Sequence, residues 1–124
     1  MKLGLAFFAV LLIFLLGCAS SPYSQQQLDD LATCFAEKEV KMYGAFWCPS
    51  CAKQKKLFGS SWEILVKKGV YVECDARGDN PQSDLCMEKK VDKYPDWEIK
   101  GERMVGIFSL ETLAEKSGCP LGGP

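Results

Sequence analysis

Met42-Tyr43-Gly44-Ala45-Phe46-Trp47-Cys48-Pro49-Ser50-Cys51 is the stretch on which the reading of this chain turns. It joins an apolar run, Val40 to Phe46, to a lysine-bearing segment, Pro49 to Phe58. Two cysteines with two residues between them can close a strained disulfide at the start of a helix. The first sulfur then lies near unpaired N–H groups and the positive end of the helix dipole, which favours a thiolate and makes a nucleophile of an otherwise inert cysteine. Pro49 suits the first helical position, where no N–H is needed. A buried strand that runs through such a pair into a helix predicts a site of thiol–disulfide exchange.

The composition narrows the alternatives. The chain has 124 residues, enough for one small domain, and a net charge of −1, so no strong field points to nucleic acid. It has no histidine, which excludes imidazole catalysis and most transition-metal sites. Residues 1–18 read as an export signal: Lys2, an apolar run from Leu3 to Leu16, then Leu15-Leu16-Gly17-Cys18. The last four residues resemble a bacterial lipobox, with Cys18 as the lipidated residue of a membrane-anchored lipoprotein. An ordinary cleaved signal or an uncleaved anchor are the alternatives, although the run is short for a full span of about 20 residues. Each places the domain outside the cytoplasm, where disulfides persist. Setting Cys18 aside leaves an even set: Cys34, Cys48, Cys51, Cys74, Cys86 and Cys119.

Residues 19–24 read as a tether, 25–119 as the domain and 120–124 as a loose tail. Leu28, Leu31, Ala32 and Phe35 recur at helical spacing, predicting a helix over Gln25–Glu37. A strand over Val40–Phe46 and a helix over Pro49–Phe58 follow. Gly59-Ser60-Ser61 interrupts, with a serine to cap a short helix through Val66. Val70–Cys74 is a second strand. Asn80-Pro81 is expected to open a helix running to about Val91. Trp97–Ile99 and Arg103–Ile107 make a hairpin about Lys100-Gly101-Glu102. Ser109 caps a last helix to about Lys116, closed by Gly118. Strands alternating with helices and ending in a hairpin give an α/β fold, a mixed sheet of about four strands with helices on both faces.

That order, with Trp-Cys-x-x-Cys after the first strand and an x-Pro before the hairpin, resembles the thioredoxin fold with its usual first strand missing. The likeness covers about residues 25–118. It implies that Tyr94-Pro95 is the cis-proline step facing the disulfide and that Gly106 is the glycine of the last strand beside it. The chain is more closely similar to the thioredoxin-like domain associated with bacterial vitamin K epoxide reductase homologues. It shares with that family the quoted stretch, Tyr71-Val72-Glu73-Cys74-Asp75, and Tyr94-Pro95-Asp96-Trp97. The resemblance implies a protein disulfide oxidase or isomerase that exchanges disulfides with exported proteins. Cys48 would attack and Cys51 resolve, Trp47, Pro49, Ser50, Tyr94, Pro95 and Gly106 would shape the site, and a vitamin K epoxide reductase-like membrane enzyme would recharge it. No cofactor, metal or nucleic acid is expected, and a monomer is. A membrane-tethered reductase of the cytochrome c maturation type and a copper-handling thiol protein are the alternatives.

The chain departs from the family at Ser50, where histidine is more usual, and at Asp96, where threonine is. Asp96 near the site would disfavour a thiolate. Ordinary thioredoxins carry a buried acid where this chain has Met42, so deprotonating Cys51 is expected to be harder. Cys74 and Cys86 flank the turn-rich loop and are read first as a structural disulfide, with a second redox pair or two free thiols as alternatives. Pairing of Cys34 with Cys119 is open, because their helices are expected on different sheet faces. Lys53, Lys55 and Lys56 read as a solvated face. Trp47, Phe46 and Trp97 are candidates for an apolar client groove, with Phe46 equally a core candidate. Arg77-Gly78-Asp79 is read as a chance tripeptide.

Overall fold

A computed structural model describes residues 21–123. The apolar run, Cys18 and the first two residues of the expected tether, 19 and 20, lie outside the described residues. Among the described residues no helix is long and apolar enough to cross a membrane.

Helix α1, Gln25–Glu37, opens on a reciprocal cap: the Ser24 hydroxyl accepts from the Gln27 N–H while the Gln27 side chain accepts from the Ser24 N–H. Strand β1 is Lys41–Gly44 and helix α2 is Pro49–Phe58. A short 3₁₀ turn, Gly59–Ser61, leads into α3, Trp62–Lys67. Neither serine caps α3. The Ser61 hydroxyl instead donates to Asp29 and accepts from Gln25, tying the turn to α1. Strand β2 is Tyr71–Glu73, α4 is Ser83–Glu88, β3 is Asp96–Ile99, β4 is Glu102–Val105 and α5 is Leu110–Ser117. Ser109 caps α5 through the Thr112 N–H, and Gly118, with φ of 73°, ends it in the left-handed conformation.

Helix α4 is shorter than the sequence predicts. Asn80 adopts φ of 46°, so it ends the preceding turn instead of capping a helix. The Gln82 N–H donates to the Glu73 carbonyl, which carries the chain back to β2 before α4 begins. At the other end Lys90 is left-handed and the Val91 N–H returns to the Cys86 carbonyl, closing the helix early.

The sheet order is β2-β1-β3-β4, with β1 parallel to β2 and antiparallel to β3. The fold is thus an α/β, thioredoxin-like, mixed four-stranded sheet. One face buries Met42, Trp97 and Ile99 against Leu31, Phe35, Phe58, Leu65 and Leu113. These come from α1, α2, α3 and α5, which therefore share a face. The other face packs Tyr43 and Val72 under Cys86 of α4. The expectation that α1 and α5 lie on different faces is corrected: both carry their apolar stripes to the same cluster, and the Tyr23 hydroxyl donates to Glu111 between them.

Candidate functional site

Cys48 is the N-cap residue of α2, in extended backbone, and its Sγ accepts from the Cys51 N–H at 3.1 Å. An Sγ that accepts a backbone N–H at a helix start holds the position a side-chain oxygen usually takes. Pro49 occupies the first turn and Ser50, half-buried, follows it. Cys51 lies one turn in, under the sheet. Burial is the main reason its thiol is pushed up to about 12, with the hydrogen-bonded Cys48 sulfur adding to it. Both cysteines are thiols; Cys74–Cys86 and Cys34–Cys119 are bonded, with Cα separations of 5.7 and 5.9 Å.

Glycine at position 44 is what admits Cys51. A Cβ there would come within 3.0 Å of the Cys51 Sγ and 3.0 Å of the Tyr71 ring. The Tyr43-Gly44-Ala45 run thus lets α2 approach the sheet over backbone alone.

The Tyr94–Pro95 bond is cis, and the Pro95 carbonyl accepts from the Gly106 N–H at 2.9 Å. Gly106 has φ of 129°, a conformation side chains rarely adopt, and it ends β4 there. The Tyr94 ring meets Trp47 edge-on at 6.0 Å between centroids. Trp47 is 53% exposed and Phe46 58%, yet both are anchored: the Trp47 indole N–H donates to Asp75 at 2.7 Å, and the Arg77 guanidinium stacks over Phe46. Asp75 is held well below the usual carboxylate range by Arg77, with the Trp47 bond adding to it. Trp97, in contrast, is fully buried in the core, so it does not line a groove. Lys53, Lys55 and Lys56 lie on the exposed face of α2.

Asp96 is not a neighbour of the thiols. It lies on the opposite sheet face, paired with Arg103 and across from Tyr43. Strand alternation decides this: Trp97 faces the α2 side, so Asp96 and Glu98 face α4. The expected penalty on the thiolate is therefore corrected.

Sequence reasoning passed over Gln54 and Glu73. Gln54 is fully buried in α2; its amide donates to the Phe108 carbonyl at 2.9 Å and accepts from the Phe108 N–H at 2.8 Å. It clamps the loop after Gly106 to the helix that carries the cysteines. Glu73 is a buried carboxylate at the end of β2, and the period of two in a strand sets it on the same side as Tyr71. That spacing was the only sequence signal for it.

The fold and the paired thiols together define a thioredoxin-like domain with a Cys-Pro-Ser-Cys site at the head of a helix. No family model matches the chain. The chain is similar to the thiol-disulfide oxidoreductase LTO1 of Arabidopsis thaliana, at 34% identity over 106 residues, or 83% of this chain. It spans 26% of the length of that relative.

Proposed function

We propose that this chain is a thiol–disulfide oxidoreductase acting through Cys48 and Cys51. One observation carries the reading. Among the described residues these are the two free cysteines, and the first caps the helix that buries the second. The likeness to a protein named as a thiol-disulfide oxidoreductase supports it.

In the oxidising direction a substrate thiolate attacks the Cys48 sulfur of the Cys48–Cys51 disulfide. That bond breaks, and Cys51 leaves with the electron pair and takes a proton. A second substrate thiolate then attacks the substrate sulfur of the mixed disulfide and releases Cys48 as thiolate. Two electrons pass from substrate to protein, and the same steps run backwards in reduction. Cys51 suits the buried, resolving place because its raised pKa keeps it a thiol near neutrality. Trp47 and Phe46, exposed beside Tyr94 and Pro95, offer apolar contact to an unfolded client chain.

The setting belongs to the same proposal. The protein works outside the cytoplasm, anchored by lipid on Cys18, and a vitamin K epoxide reductase-like membrane enzyme removes the two electrons. Two further disulfides in so small a domain suit an oxidising compartment, and the shared sequence blocks support the partner.

The test is exchange with a reduced, unfolded reporter protein. The oxidised wild type is expected to transfer its disulfide to the reduced reporter. Cys51→Ala is expected to transfer none but to trap a mixed disulfide through Cys48 when given the disulfide-bonded reporter, and Cys48→Ala to do neither. Equal exchange by wild type and Cys48→Ala would reject the reading. The reduction potential of the pair in glutathione buffers, with Cys48→Ala/Cys51→Ala as control, then sets the direction. A value between about −120 and −200 mV marks a disulfide donor or isomerase, and one near about −270 mV marks a reductant.

A further inference from the structure

Cys51 must lose a proton whenever it attacks and regain one whenever it leaves. Burial holds that proton tightly. Met42 of β1 is buried and apolar and offers no acceptor. The neighbouring strand supplies what β1 lacks. Glu73 pairs with Gly44 in the β1–β2 register, and Gly44 is the residue over which Cys51 sits. A Cβ on Gly44 would lie 3.0 Å from the Cys51 Sγ and 3.6 Å from the Tyr71 hydroxyl, so both groups border the space above Gly44 without a direct hydrogen bond between them. The Tyr71 hydroxyl in turn donates to the Glu73 carboxylate at 2.6 Å.

Glu73 is only 4% exposed. Its other oxygen accepts from the Phe46 and Asp75 N–H groups at 3.3 and 3.0 Å. Gly78 closes over it, where a Cβ would come within 2.5 Å of the carboxyl. Among the described residues no lysine or arginine is ion-paired with it. The titratable and charged groups around it are Cys51 and Lys55 of α2, Glu63 and Lys67 of α3, and Tyr71, Asp75, Asp79 and Tyr94. Cys51, Tyr71 and Glu73 all line one open cavity of about 660 Å³, through which a proton can reach solvent. A buried carboxylate without a cationic partner, joined by a hydroxyl to the space beside a reacting sulfur, is placed for proton transfer.

We propose that the Tyr71–Glu73 pair is the proton acceptor and donor for Cys51, working through the Tyr71 hydroxyl. This rests on the exchange reaction proposed above. When a mixed disulfide on Cys48 is resolved, the Cys51 proton passes through solvent in the shared cavity to Tyr71 as the Tyr71 proton passes to Glu73. Cys51 attacks the Cys48 sulfur, the Cys48–substrate bond breaks, and the substrate thiolate leaves with the electron pair and is protonated from solvent. In the oxidising direction each step reverses, and the pair, loaded with a proton, protonates Cys51 as it leaves.

The test is single-turnover reaction of the full, reduced protein with oxidised glutathione, followed from neutral to alkaline pH. It reads two phases, mixed-disulfide formation at Cys48 and its resolution by Cys51. For Glu73→Gln the first phase is expected to stay as in the wild type. The second is expected to slow about 10²-fold near neutrality and to recover as pH rises and solvent takes the proton. The sign separates this role from a bare charge. If Glu73 acted only through its field, which raises the Cys51 pKa, removing it would speed the second phase. Tyr71→Phe keeps the ring and is expected to give the same selective slowing, and it carries the test if Glu73→Gln does not fold. A second phase as fast as wild type, or faster, in either variant overturns the proposal. A wild type that forms no mixed disulfide would instead reject the exchange reading itself.

Discussion

At the residue scale the site is set by what position 44 lacks. The Cys51 sulfur and the Tyr71 ring both occupy the space a side chain there would need. Gly44→Ala is expected to fold with a loss of about 1–3 kcal/mol, as overpacked cores do. It should slow disulfide exchange by up to about 10²-fold through displacement of Cys51, seen as a lower turnover with an unchanged circular dichroism spectrum. Titration gives a second outcome. Burial raises Tyr43 from 10.0 to about 12 and Cys51 from 9.0 to about 12. The folded state therefore holds these protons more tightly than the unfolded chain, so stability is complete below the unfolded values and falls as pH rises through that window. Chemical denaturation from about pH 9 upward should show this loss in the reduced protein. The Cys51 share should vanish on oxidation, because a disulfide sulfur does not titrate, and the Tyr43 share should vanish in Tyr43→Phe.

At the element scale two connections hold α2 and α4 to the rest. Gln54 satisfies both backbone groups of Phe108 and accepts from the Trp97 indole N–H, so Gln54→Leu would leave three polar groups without those partners. The expected cost is about 1–3 kcal/mol for each that stays buried, read as a lower denaturation midpoint with faster hydrogen exchange at Phe108. Helix α4 has 6 residues, far fewer than an isolated helix needs, and its N-cap residue, Gln82, makes no side-chain bond. The Cys74–Cys86 bond and the Gln82-to-Glu73 hydrogen bond set where it begins. This is why Asn80-Pro81, a good local start signal, was overruled. Local preference there is worth about 1 kcal/mol, less than a covalent cross-link. The caps at Ser24 and Ser109 met no such competitor, and α1 and α5 begin where their sequences indicate.

At the scale of the whole molecule, among the described residues, one sheet face carries four helices and the other carries α4 alone. The Cys34–Cys119 bond ties the end of the chain to the end of α1 across 85 residues, and Cys74–Cys86 spans 12. Loop-closure entropy makes the long bridge the more stabilising by about 1–2 kcal/mol. Thermal melts of Cys34→Ala/Cys119→Ala and Cys74→Ala/Cys86→Ala should therefore show the larger drop in the first. The reverse order would mean that α4, not the chain terminus, is the weak point of the fold.

The features legible in the chain itself are those governed by groups a few residues apart. The Cys-Pro-Ser-Cys turn, the capped ends of α1 and α5, the hairpin and the element order all follow from capping, helical spacing and turn chemistry. The Cys74–Cys86 bond was readable from the two cysteines flanking one loop. Tertiary structure alone decided that Cys34 bonds Cys119, because that pairing depends on where α1 and the end of the chain pack. It also turned Asp96 away from the thiols, drew Trp97 into the core, and set α5 beside α1. Above all it brought Glu73 of one strand beside Gly44 of another. Sheet register lies beyond the reach of any local pattern, and here it carries a buried carboxylate to the neighbourhood of Cys51.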